Sequence, residues 1–495
     1  MKKLYTIVSL MLSSLSIMAT DFKDCSMAIK SNISTNIEKS NTTVFINGNT
    51  FSINGLKYDN TDLGNVELTN LQVINGYSDG TMVYATSEPQ YITIGGEKVA
   101  ANFRGEVRNS KFRGILNLTV NGSNYIAMIG DKADELGQLP NAGFENFHDA
   151  SDTSDTKEPN GWHSFKTCTG SQSGTAKKAN NTFIESTEKH SGTNCVKVQS
   201  ALLLFNTIPA NGTMTTGRLH AGSMKADNTA NNSTMDFDDT GIDGNKDPFY
   251  PIFTTKPDAM TVWVKFKGNV KDHPNATVKA ILANGKVQDP EPEIDDYKKN
   301  VIARAEDKRI ESKNFAWQEL NIPFKYENKN TPKGMLVTIS TNAKAGKASS
   351  DKNNLDVIYV DDIAMIYNSS LKSAQYKNTN LSFADNKAAI EIEGKANEAD
   401  FSIVSDGEGA YISKVLKTNE GETGKSTLYI TITSNDLQKS NCFEVAITDK
   451  TATGIFNIKS DSNATSSTLY NLAGQQVSNS YKGIIIKNGK KYINK

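Results

Sequence analysis

Thr43-Val44-Phe45-Ile46-Asn47-Gly48-Asn49-Thr50-Phe51-Ser52-Ile53-Asn54-Gly55 holds two short runs of β-branched and aromatic residues, each closed by Asn-Gly. Asn-Gly supplies the positive-φ positions of a tight hairpin turn, so the stretch predicts antiparallel strands. The rhythm recurs nearby. Tyr91-Ile92-Thr93-Ile94 meets Gly95-Gly96, and Leu116, Leu118 and Val120 alternate with Asn117 and Thr119 before Asn121-Gly122. Residues 27–131 thus predict about eight strands joined by short turns, enough for a small barrel or a sandwich. Helical periodicity is almost absent along the chain, and the expected fold class is all-β.

The chain has 495 residues, a length that suits about three domains. Its 55 acidic and 54 basic side chains leave a formal net charge of −1, which argues against a nucleic-acid partner. Hydrophobic residues make up 37%, so real cores are possible and wholesale disorder is excluded. The four cysteines, Cys25, Cys168, Cys195 and Cys442, show no zinc-finger spacing.

Met1-Lys2-Lys3 precedes an apolar, Ser-dotted run from Leu4 to Ala19, and polarity returns at Asp21. A basic start, a short apolar segment and a small closing residue predict a signal peptide over 1–19. The run is too short for a membrane span of about 20 residues, and no transmembrane segment is expected after cleavage. A buried N-terminal helix is the alternative. Export permits disulfides, and Cys168–Cys195 is the expected pair.

Phe112-Arg113-Gly114-Ile115-Leu116-Asn117-Leu118-Thr119-Val120 and the turn spacing of residues 27–131 resemble the calycin-like β-barrel of Bacteroidetes secreted proteins. That resemblance implies an up-and-down barrel whose mouth holds a small apolar ligand or whose interior is filled. Residues 140–368 open with Leu139-Pro140-Asn141-Ala142-Gly143-Phe144-Glu145-Asn146 and Pro159-Asn160-Gly161-Trp162. They close with Val357-Ile358-Tyr359-Val360-Asp361-Asp362-Ile363-Ala364-Met365-Ile366-Tyr367. These strings resemble the carbohydrate metabolism domain of Bacteroidetes surface proteins and jelly-roll sugar-binding modules, which implies a β-sandwich.

Residues 373–449 predict a small immunoglobulin-like sandwich, set off by a Ser-, Asn- and Lys-rich linker over 368–380. In the last block, 454–495, Leu469-Tyr470-Asn471-Leu472-Ala473-Gly474 and Lys482-Gly483-Ile484 with Asn488-Gly489-Lys490-Lys491 resemble a type IX secretion sorting domain. This implies the secretion machinery as a partner and delivery to the cell exterior or outer-membrane surface. An ordinary terminal hairpin with a solvated basic face is the alternative.

The histidines show no HExxH spacing, and no Gly-x-Ser-x-Gly elbow is present. Glycosidases need two carboxyl groups about 5–9.5 Å apart, and nothing in the sequence pairs such acids. Asp236-Phe237-Asp238-Asp239-Thr240-Gly241 opens like a calcium loop, but Asp247 at the twelfth place and Pro248 after it favour a solvated turn. The jelly-roll resemblance implies a structural calcium shared by Glu145, Asp361 and Asp362; water-exposed strand ends are the alternative.

Sugar stacking needs exposed rings and planar donors. Alternation over 260–267 places Met260, Val262, Val264 and Phe266 on one face and Trp263 and Lys265 on the other. Trp263 and Lys265 are the expected ligand residues, with Arg218 and His220, which share parity, and Trp162. Trp317 shares parity with Phe315 and is expected in the core. The expected function is non-catalytic glycan binding at the cell surface. An adhesin-like scaffold and a polysaccharide-processing glycoside hydrolase are the alternatives.

Overall fold

A computed structural model describes residues 20–150, 156–271, 275–292, 295–452, 468–487 and 490–494. The expected signal peptide over 1–19, His273, and the turn Asn488-Gly489 lie outside the described residues. About 53% of the described residues are strand and 4% are helix, so the fold is all-β. Among the described residues no helix is long and apolar enough to cross a membrane.

The chain divides into two compact units. The first comprises 1–388 with Asn397–Leu416 and Leu428–Val445; the second comprises Ala389–Ala396, Lys417–Thr427 and Ala446–Lys495.

The first unit opens with ten strands: β1 Thr20–Ser31, β2 Ser34–Asn47, β3 Thr50–Tyr58, β4 Thr61–Leu68, β5 Gln72–Ile74, β6 Met82–Ala85, β7 Gln90–Ile94, β8 Glu97–Arg108, β9 Lys111–Val120 and β10 Ser123–Ile129. They form one sheet in the order β4-β3-β2-β1-β10-β9-β8-β6-β5, with β7 also on β8. The sheet curls around its own apolar face. Phe51 and Phe103 stack 3.9 Å apart at its centre, and Phe112 lies 6.4 Å from Phe103. Gly105 and Gly114 face each other on β8 and β9, and a Cβ on either would sit under 3.0 Å from the Phe112 ring. These two glycines make the room that the rings fill. The space inside the curl is packed with side chains.

Strands β8 and β9 do not alternate buried and exposed, because both of their faces are covered. Arg104 donates to Thr254 through its carbonyl (2.9 Å) and hydroxyl (2.7 Å), and Asn117 donates to the Leu437 carbonyl (3.1 Å). Buried polar groups need such partners, and here the sheet's outer polar face docks on its neighbours.

The sandwich that follows has two five-stranded sheets. The first runs Thr182–Glu185, Cys195–Gln199, Val357–Ile366, Ala259–Lys267, Gln318–Pro323, and the second runs Thr213–Thr215, Gly334–Ser340, Ala276–Ala283, Val301–Ile310, Lys325–Tyr326. Between them lie Met260, Val262, Val264 and Phe266, all fully buried, as their alternation predicts. A three-stranded sheet, Arg218–Ala221, Asn231–Met235 and Val287–Asp289, flanks this pair.

Further on, Leu371–Tyr376 is a strand paired with Phe401–Ser405, so the expected linker over 368–380 is part of a sheet. Its alternate side chains Ala374 and Tyr376 are buried, which its Ser and Lys content conceals. A four-stranded sheet runs Lys387–Ile392, Ser440–Asp449, Lys425–Thr433, Tyr411–Thr418. At the C-terminus, Gln476–Val477, Leu469–Asn471, Gly483–Lys487 and Lys490–Asn494 make an antiparallel sheet.

Cys168 and Cys195 are both free. Cys168 packs with Ala176, Leu219 and Ala221, whereas Cys195 packs with Val357 and Tyr359 in a separate cluster. The expected disulfide is not formed. Burial pushes the Cys195 thiol up to about 12, which suits an inert core residue.

Candidate functional site

The outward face of the first sheet gathers several of the expected residues. Trp263 faces Glu319 on one neighbouring strand and Asp361 on the other, so it is on the outward side as expected. It is not an open platform, however. His190 stacks on its ring with centroids 3.7 Å apart and planes 13° from parallel. Lys265 is buried, paired with Glu188, and 4.4 Å from the Phe315 ring. Trp317 lies on this same outward face, against Cys195, Tyr359 and the His190 ring (5.8 Å), and is not in the core between the sheets. Its shared parity with Phe315 holds; the side expected for the pair does not.

The segment 190–194 draws in all three acids expected to bind calcium. Asp361 accepts from the His190 and Ser191 N–H groups (2.9 and 3.2 Å), and Asp362 accepts from the His190 ring (2.7 Å) and the Ser191 hydroxyl (2.9 Å). Glu145 accepts from the Thr193 N–H (2.9 Å). Gly192 is required there, since a Cβ would fall 1.7 Å from Glu145. The carboxylates are brought together, but their oxygens face protein donors. That donor set favours hydrogen bonding over a shared cation.

Burial raises the Asp361 carboxyl to about 6, with the Asp362 charge adding and the N–H bonds opposing. A folded-state value above the unfolded one destabilises the fold once the group must ionise. Between about pH 4 and pH 7 the wild type should therefore lose about 2 kcal/mol of stability relative to Asp361→Asn. Paired urea melts across that range check it; parallel curves would contradict the assignment.

Two more expected ligand residues belong elsewhere. Trp162 is fully buried, its indole N–H donating to the Pro140 carbonyl (3.1 Å) beside Phe144. A ring enclosed on all sides cannot meet a sugar. Arg218 lies over the Phe249 ring (3.6 Å) and pairs with Asp239 (3.2 Å). Asp236 pairs with Lys286 (2.9 Å), so the 236–241 loop is a charge-paired turn.

His220 alone among the expected ligand residues lines a large cavity, about 530 Å³, on the outward face of the second sheet. Its floor comes from strict alternation: Thr277 faces Ser340, and Lys279 faces Thr338 on one side and Glu306 on the other. His220 and Asn232 stand opposite each other in the flanking sheet, and Asp289 follows on the next strand. Leu203, Ile208 and Pro209 add an apolar wall. His220 Nδ1 meets the Thr169 hydroxyl (3.0 Å), which leaves Nε2 for a ligand. The Thr338 hydroxyl is buried without a hydrogen-bond partner.

The hairpin supplying that apolar wall ends in Leu204, Phe205 and Asn206, with φ of 45°, 59° and 64°. Bulky side chains rarely adopt this left-handed backbone, and such conformations cluster at functional positions. Phe205 is 99% exposed. Sequence alternation misses both features. The cavity floor is assembled from strands far apart in the chain, and a lone Phe in a turn carries no period.

No protein-family model matches the chain, and neither a curated protein nor a solved structure is similar to it.

Proposed function

We propose that this is an exported, surface-displayed glycan-binding protein without catalytic activity, and that the cavity beside His220 is its sugar site. The observation that carries the reading is the cavity's lining, a hydroxyl- and charge-bearing floor beside an apolar wall. Pyranoses present the same division, with hydroxyls at their edges and C–H groups on their faces. Export rests on the apolar run before Ala19 and on the sorting-domain resemblance of 454–495.

The charges in the cavity suit binding better than hydrolysis. Glu291 is lowered by its bond to Arg304, and Lys279, despite the opposing effect of burial, is raised by Asp289, Glu291 and Glu306. Carboxylates held ionised accept hydrogen bonds from hydroxyls. Protonating a leaving group instead calls for a carboxyl whose pKa is raised.

The full chain should retain oligosaccharides on a glycan array. Calorimetry with the strongest hit should show His220→Ala and Phe205→Ala each weakening binding by about tenfold, the scale of a lost hot-spot contact. Trp263→Ala should leave affinity unchanged, because its ring is covered by His190. Loss of binding in Trp263→Ala with full binding in His220→Ala would move the site to the first sheet.

A further inference from the structure

His148, Glu158 and Asp243 come from two separate segments and bring ligand atoms within 4.8 Å of one another, with His163 beside them against Asp243. His148 and Glu158 are directly opposed in the hairpin formed by Phe147–Asp149 and Lys157–Pro159. His163 follows, pinned by paired backbone bonds to Thr215 (2.7 and 3.0 Å). Asp243 sits in the loop before Phe249. The side chains of Glu158, His163 and Asp243 are completely buried, and that of His148 is 11% exposed.

His148 Nε2 is 3.1 Å from Asp243 Oδ2 and 3.6 Å from Glu158 Oε2, and His163 Nδ1 is 3.5 Å from Asp243 Oδ2. By strict geometry none of the four atoms completes a hydrogen bond, although a protonated His148 would be ion-paired with Asp243. Buried polar atoms in this arrangement call for a shared proton or a shared cation.

The far side of every group is held. His148 Nδ1 meets Asn160 Oδ1 (3.1 Å) and His163 Nε2 meets the Pro248 carbonyl (3.3 Å), so each ring keeps its proton there and turns a lone pair inward. The other oxygen of Glu158 accepts from the Ser164 N–H (2.7 Å), and that of Asp243 accepts from the Asn245 and Asp247 N–H groups (both 2.8 Å). Such outer bonds are what orient metal ligands.

We propose that His148, Glu158 and Asp243 bind one divalent transition-metal ion of the zinc type as a structural site, with His163 positioning Asp243. Ligand atoms at about 2.1 Å on a tetrahedral ion lie about 3.4 Å apart, and the His148 separations of 3.1 and 3.6 Å from the two carboxylates scatter around that value. The two carboxylates cancel a 2+ charge, and the imidazole adds a neutral ligand. Calcium and magnesium fit poorly, since both favour six or more oxygen ligands. With the three ligand side chains almost without exposure, the ion is kept from substrate. The ion fastens the 147–159 hairpin to the 243–248 loop.

The test uses the full chain, stripped with EDTA and then given Zn²⁺. Elemental analysis should find about one zinc per chain, and Zn²⁺ should raise the melting temperature that EDTA lowers. His148→Ala and Asp243→Asn should lose both effects, whereas Glu145→Ala should keep them. Should those variants misfold, Co²⁺ added to the stripped wild type gives a separate readout, the visible absorption of a tetrahedral ion. A folded wild type without stoichiometric metal, with a melting curve indifferent to Zn²⁺ and EDTA, would overturn the proposal. So would an octahedral Co²⁺ spectrum, or metal lost on changing Glu145 but not Asp243.

Discussion

Trp162→Ala should lower the stability of the first unit by about 3–5 kcal/mol, the range for deleting a fully buried aromatic. Trp162 is enclosed by the sandwich core with Phe144 at 5.2 Å. A smaller step isolates one part of the loss. Trp162→Phe retains most of the packing but strands the Pro140 carbonyl, which should cost about 1 kcal/mol. Urea midpoints of the three proteins check the series. A Trp162→Ala midpoint equal to that of the wild type would mean the ring is not core.

The second large effect is expected at Asp356, which is fully buried just before the central strand of the first sheet. Its carboxylate accepts from the Asn269 N–H, the Asn342 side-chain amide (3.0 Å) and the Ser349 N–H (2.8 Å). Its own N–H donates to the Ser200 hydroxyl (2.9 Å). Asp356→Ala strands three buried donors at once, each costing about 1–3 kcal/mol, so the loss should rival that of Trp162→Ala. Asp356→Asn keeps one acceptor oxygen and should fall between. Equal midpoints for the Asn and Ala variants would show that the donors find other partners.

What the sequence revealed follows from how local each signal is. The alternation Met260, Val262, Val264, Phe266 names a core face because strand geometry dictates it within nine residues. The same rule places Trp263 and Trp317 on definite sides of their strands, yet it is silent about what covers them. Only the folded chain brings His190 onto the Trp263 ring. The expectation for Trp162 failed for a related reason: its burial depends on Phe144 and Pro140, contacts that no strand alternation reveals. The His148 cluster shows the limit most clearly. Its ligands are separated by 10 and 85 residues, counted as differences of their positions, so no short motif marks them.

The most direct test of the glycan-binding account fills the proposed site. Ala343 lines the cavity but is itself exposed, so Ala343→Trp adds a ring there without disturbing the core. Wild type and variant should melt alike. Against the strongest oligosaccharide from the array, the wild type should give a saturable isotherm and Ala343→Trp should give none. Equal binding by both proteins, or a wild type that retains no glycan at all, would contradict the account.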